Sequence, residues 1–362
     1  MAKVTIDMIK ELREISGGAG LSDCKNALIE TEGDIDAALE VLRKKGVAKA
    51  GKKAARIAAE GVVSLVVKED RKAAIVEVNC ETDFAAKSDK FKAYVATVVE
   101  QVYETQAADV EALKAEKCIN SEFTVGEELV NQIATIGENL TIRRFAKIDS
   151  DGLVVGYIHG GGRIGVLVEA EAADTDANKE ALKNIAMQIA ALNPQYISRA
   201  DISDAELAKL REITIESAIN DPASLPKQLM LKLINKAVDN KVWSDADIAI
   251  YEEQKNNLNY LFNFLSAEAK AQVAALGMEE KDAFVADKIF SGLVEGRISK
   301  QIKDISLSDQ VYVKAEDGKQ TVAAYLKTVG DIKIKNFIRF ETGEGIEKKQ
   351  ENFAEEVAKQ MM

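Results

Sequence analysis

Two stretches of this chain carry one pattern at an offset of 91 residues, with Gly152 answering Gly61. Val62-Val63 meets Leu153-Val154, and Ala74-Ile75-Val76 meets Gly165-Val166-Leu167. Phe91 meets Leu182, and Tyr94, Val95 and Val98 meet Ile185, Ala186 and Ile189. In each copy two short apolar runs split by a turn precede an apolar stripe at helical spacing. That order predicts a β-hairpin followed by a covering helix, twice. The match is imperfect, because Glu77 meets Val168. Leu140–Lys147 adds a third strand to the first copy, and Asn336–Glu341 adds one to the second. The fold class is therefore α+β, with two related sheet-plus-helix subdomains.

The rest of the chain reads as helix. Only three prolines, Pro194, Pro222 and Pro226, interrupt its 362 residues. Residues 1–46 form a three-helix head. Thr5 caps the first helix and Ser22 starts the second. Gly33-Asp34 separates the second from the third, which closes at Arg43–Gly46. Residues 47–60 form a basic linker, 61–150 the first subdomain, and 151–221 with 303–349 the second. Residues 222–302 form an inserted helical, coiled-coil-like arm, with Glu279–Lys300 as one long helix. The arm seals its own apolar faces, binds a partner or pairs with a second copy. Residues 350–362 form a short amphipathic C-terminal helix, with Phe353 and Val357 one turn apart.

Several chemistries are bounded by counting. A net charge of -12 disfavours generic binding to nucleic acid or anionic membranes. Three scattered cysteines and the lack of an apolar leader fit a cytoplasmic protein. One histidine, His159, must serve any histidine-dependent catalysis, and no nucleophile or carboxylate adjoins it in sequence. His159-Gly160-Gly161-Gly162-Arg163 joins two strands, which fits a hairpin turn better than a phosphate cradle. Glu341, Glu344 and Glu347 read as a solvated face rather than a cation site. No catalytic residue, metal or cofactor is assigned. Residues 43–56 hold basic groups and no acid, and read as a solvated linker or as a contact to RNA or an acidic protein.

Thr82-Asp83-Phe84 is the candidate site. It sits on a short polar turn between strand and helix. Phe84 either returns to the core or enters another protein, and taken alone the residues favour the core.

With its neighbours the segment points elsewhere. Val78–Lys87 resembles the signature of bacterial translation elongation factor Ts. So do Asp23-Cys24-Lys25, Ile136-Gly137-Glu138-Asn139 with Ile142-Arg143-Arg144, Tyr157–Gly160 with Arg163–Leu167, and Phe337–Phe340 with Gly343–Glu347, in family order. The resemblance implies an exchange factor for elongation factor Tu, bound in its GDP and nucleotide-free states, with a UBA-like head and no covalent chemistry. Carried over by position, Thr82, Asp83, Phe84 and Ala85 dislodge Mg²⁺ from the partner. Ile136 and Gly137 support them. Arg13, Leu21 and Ser22 form the head contact, Phe353 and Val357 lie on the docking C-terminal helix, and His159 lies in the second-subdomain turn. The chain also departs from the family. The turn at Gly17–Ser22 is one residue longer, Leu21-Ser22 stands where methionines are common, Ala85 replaces valine, and the excursion from about Pro222 to Gly277 is longer than typical. A translation- or RNA-associated scaffold, acting through the basic stretch and the arm, is the competing reading.

Overall fold

The computed structural model describes residues 4–16 and 18–347. The C-terminal helix expected over 350–362, with Phe353 and Val357, lies outside the described residues. Contacts divide the chain into two compact units. One comprises the chain up to Asn193 together with the stretch from Ala324; the other is Pro194–Ala323.

The first unit opens with α1 (Ile6–Ile15), α2 (Leu21–Glu30) and α3 (Ile35–Lys53). Leu12, Cys24, Ala27, Leu28 and Ala38 form their shared core. Thr5 accepts from the Met8 N–H at 3.3 Å, and Asp34 from the Ala37 N–H at 2.9 Å, so both expected caps form. Two expectations change. The second helix starts at Leu21 behind Gly20, so Ser22 lies in its first turn and is not its cap. The third runs past Gly46 to Lys53, so half of the expected linker is helix. Gly46 is buried against Val130 and Ala134, and that packing outweighs its poor helix propensity.

Next come β1 (Glu60–Lys68), β2 (Lys72–Cys80), α4 (Asp83–Lys87), α5 (Asp89–Glu104), α6 (Val110–Ala115), α7 (Val125–Ile136) and β3 (Thr141–Asp149). The α7 helix opens with a capping box formed by Thr124 and Glu127. The second copy is β4 (Leu153–His159), β5 (Ile164–Glu171) and α8 (Asp176–Leu192), completed late by β6 (Lys333–Glu341). Both sheets are antiparallel, in the orders β1-β2-β3 and β4-β5-β6. On one face of β2, Ala74, Val76, Val78 and Cys80 pack with Phe91, Tyr94, Val95, Val98 and Val102 of α5. On the other face Ala73 and Ile75 meet Val154, Leu167 and Phe340 of the second sheet. Strand β2 is thus buried on both sides, so its sequence lacks the simple alternation of a half-exposed strand.

The second unit holds α9 (Asp204–Asn220), α10 (Lys227–Asp239), α11 (Asp245–Gln254), α12 (Leu258–Phe264), α13 (Ala267–Glu279), α14 (Lys281–Ala286) and α15 (Lys288–Ile305); α16 (Val322–Val329) precedes β6. Two apolar stripes, Leu225, Leu229 and Leu233, and Leu258, Leu261, Phe262 and Leu265, enter one core. Ile215, Ala218 and Ile219 of α9 join it, so the compact unit is wider than the arm expected at 222–302. Its helices pack around that one core as a bundle rather than as a coiled-coil-like hairpin. The long helix expected over Glu279–Lys300 is broken: Asp287 turns extended and accepts from the Ile289 and Phe290 N–H groups, which starts α15 afresh.

Candidate protein-docking site

The approach to α5 is built from caps. Helix α4 has five residues, too few to be stable on intrinsic propensity. At its front the Thr82 Oγ1 accepts from the Ala85 N–H at 3.1 Å. At its rear the Ser88 hydroxyl donates to the Ala85 carbonyl at 2.8 Å and accepts from the Phe91 N–H at 3.3 Å. Ser88 therefore ends one helix and begins the next, and its extended backbone lets α4 point away from α5. Ala85 and Ala86 take the inward positions. Phe84 is left outward and 82% exposed, the most exposed large apolar side chain among the described residues. The core placement favoured by the residues alone is overturned. The space beneath α4 is filled by the two alanines, and Phe91 already occupies the aromatic position in the core. Beside the ring, Asp83 pairs with Lys87 at 2.6 Å, which holds its carboxyl below the usual range.

The loop after α7 braces this segment. Gly137 ends α7 in the left-handed conformation (φ 90°), which turns the chain back toward α4. Glu138 then accepts from the N–H groups of Glu81 (3.1 Å) and Thr82 (3.0 Å) and from the Thr82 hydroxyl (2.7 Å). In return Glu81 accepts from the Asn139 N–H at 2.6 Å. The Asn139 side chain donates to the Arg56 carbonyl at 2.8 Å. Ile136, half-buried, and Gly137 immediately precede this tie in the chain. Beneath them burial, reinforced by the Glu138 charge, pushes the Cys80 thiol up to about 12. The sequence pattern alone assigns no part to Glu81 or Glu138. The available signal was an acid in each of two loops that both follow apolar elements.

A second polar cluster supports the region from below. Glu77 is fully buried on the face of β2 that meets the other sheet. A bulge opposite Glu77 and Val78 leaves Arg143 unpaired in the β2–β3 register, so both Arg143 (2.9 Å) and Arg144 (2.6 Å) reach its carboxylate. The Gly343 N–H, just after β6, adds a bond at 2.7 Å. Burial pushes this carboxyl upward, but the Gly343 N–H and the two guanidiniums outweigh it and hold it below the usual range.

The remaining candidates lie elsewhere. Arg13, Leu21 and Ser22 are exposed on α1 and α2. His159 ends β4, exposed, with the Tyr157 hydroxyl 3.0 Å from its Nδ1. Gly160, Gly161 and Gly162 form a hairpin turn between paired antiparallel strands, so the phosphate-cradle context is absent there. Gly162 carries φ 101°, and a Cβ on it would lie 2.6 Å from Val62. Glu341 and Glu344 hold Arg339 and Arg144 at 2.7 and 3.1 Å, so arginines take the place a cation would have had. In the basic stretch Lys45 and Lys49 pair with Glu30 and Asp23 at 2.8 and 2.9 Å, which matches part of its charge internally. Among the described residues no helix is long and apolar enough to cross a membrane.

A family model described as Elongation factor TS matches residues 81–344. Proteins named Elongation factor Ts align along almost the whole chain. The one from Clostridioides difficile (strain 630) is 40% identical over 100% of both chains. That from Clostridium tetani (strain Massachusetts / E88) is 41% identical over 99% of both, and that from Clostridium perfringens (strain 13 / Type A) 42% over 98% of both.

Proposed function

The chain belongs to the elongation factor Ts family, and from that premise we propose that it is the guanine-nucleotide exchange factor of elongation factor Tu, acting in the cytoplasm by binding alone. The carrying observation is Phe84, 82% exposed on a five-residue helix capped at both ends and braced by Glu138. Leaving a phenyl ring in water forgoes about 1.5–3 kcal/mol of burial that a partner's groove would recover.

In this reading Thr82–Ala85 enters the nucleotide domain of the partner near its magnesium, with Ile136 and Gly137 against the same domain. Bound GDP is held through Mg²⁺ and backbone donors around its phosphates. An acid and a ring that shift that backbone and dislodge the metal leave phosphate charge less compensated, and GDP departs. Each tenfold in release rate needs about 1.4 kcal/mol of barrier reduction, so one ring supplies at most about two powers of ten. The rest comes from other contacts: a UBA-like head through Arg13, Leu21 and Ser22, the second subdomain through His159, and the C-terminal stretch through Phe353 and Val357. Linkage makes the effect reciprocal, so GDP weakens the grip of the factor on its partner by the same ratio.

Release of fluorescent GDP from elongation factor Tu, followed with and without this protein, tests the reading. Acceleration that Phe84→Ala removes supports it. Unchanged release with the intact protein ends it.

A further inference from the structure

We propose that Glu138 is the positioning residue of the exchange site: it fixes the direction in which Phe84 is presented, and does so without touching the partner. The inference rests on the reading that Phe84 enters elongation factor Tu.

Helix α4 is five residues long, and besides the unpacked Phe84 ring its outward face carries the exposed Asp83–Lys87 pair, which is weak in water. Its inward face rests on Ala85 and Ala86, side chains too small to fix a direction by themselves, so the ends of the helix complete its orientation. The rear end is fixed by Ser88, which is continuous with α5. The front end is Thr82, and every hydrogen bond that Glu138 accepts comes from Thr82 or the residue before it. The Thr82 hydroxyl donates its only proton to Glu138 at 2.7 Å, which leaves a lone pair for the Ala85 N–H at 3.1 Å. One carboxylate thus selects the hydroxyl rotamer that caps the helix carrying the ring. Bonds to an ionised acceptor are the strong kind. The return bond from Asn139 to Glu81 at 2.6 Å makes the tie reciprocal, so neither loop shifts alone.

A pre-set direction matters because a partner that had to order α4 on binding would lose part of the contact energy to that ordering. Removing the brace should therefore slow the step in which the distorted partner forms more than it weakens first encounter.

The test uses the full-length protein and elongation factor Tu loaded with fluorescent GDP, with Glu138→Gln and Glu138→Ala alone and combined with Phe84→Ala. Amide hydrogen exchange of the free protein reports on the brace itself. The proposal expects faster exchange at the Glu81 and Thr82 amides. It expects a maximal GDP-release rate lower by about tenfold for Glu138→Ala and by less for Glu138→Gln, which keeps one acceptor. The concentration for half-maximal effect should move less than about threefold. In the Phe84→Ala background either change should add almost nothing, since no ring remains to aim. An unaltered maximal rate overturns the proposal, as does a loss that multiplies with that of Phe84→Ala. If Glu138→Ala fails to fold, Glu138→Gln carries the same comparisons. Should the wild-type protein fail to accelerate release at all, the exchange-factor reading falls, and unprotected Glu81 and Thr82 amides in the wild type would sink the brace as well.

Discussion

The two hairpin-plus-helix copies diverge where strand gives way to helix. In the second copy Thr175 caps α8 directly, and the helix starts at Asp176. In the first copy the same stretch is cut in two: Thr82 caps α4, Ser88 caps α5, and the covering helix starts only at Asp89. The buried stripe stays in register, since Phe91, Tyr94, Val95 and Val98 match Leu182, Ile185, Ala186 and Ile189, all buried. The first copy has therefore kept its core and broken off the opening turn of its helix. That turn points outward with Phe84. The matching turn of the second copy points at its sibling, because Asp174 and the hairpin-tip Asp70 both hold Lys179 at 2.8 Å. One supersecondary unit thus serves packing in one place and presentation in the other. A single serine cap makes the difference.

The comparison can be broken most severely at Glu77. Its counterpart Val168 is also fully buried, so Glu77→Val copies the second sheet into the first. It should nonetheless destabilise by about 3–5 kcal/mol, because Arg143 and Arg144 lose their acceptor while Gly343 loses its own. Calorimetry should show melting lowered by roughly 10 °C. The pH dependence follows from the lowered native carboxyl. Its contribution is complete above the ordinary carboxylate range of the unfolded chain and is lost as pH falls through the lowered native value. The gap between wild type and variant should therefore narrow in acid.

Phe84→Ala comes next. GDP release from elongation factor Tu should slow by about 10- to 100-fold while thermal stability stays put, because the ring contributes nothing to its own core. The matching substitution at Thr175 removes a cap from α8 and should act the other way round, lowering stability and sparing exchange. Ser88→Ala sharpens the role of the break. Loss of the α5 cap should cost about 1 kcal/mol by denaturant titration, with a fall in exchange that the equivalent cap change at Thr175 does not produce. The smallest effect belongs to Lys179→Met. Its acidic partners are open to solvent, and its melting curve should overlay the wild type at physiological salt.

Much of the fold was legible because periodicity reports which face is buried. The 91-residue repeat and the late third strand at Asn336–Glu341 both appear where apolar spacing puts them. The expectation failed where a single polar residue decided the backbone. Asp287 divides what looked like one helix, and Gly46 continues what looked like a terminus. Both outcomes depend on partners distant in sequence or on a cap that competes with good helix formers.

At the site, the sequence by itself determined the ingredients: a threonine able to cap, two alanines small enough to face inward, and a phenyl ring between polar neighbours. Its direction was decided only by tertiary structure. Whether Phe84 turns in or out depends on what already fills the core, which is Phe91, and on the carboxylate that meets the loop, which Glu138 supplies from 56 residues beyond Thr82. A local pattern encodes which residues prefer burial; only the packed chain decides which of them find room.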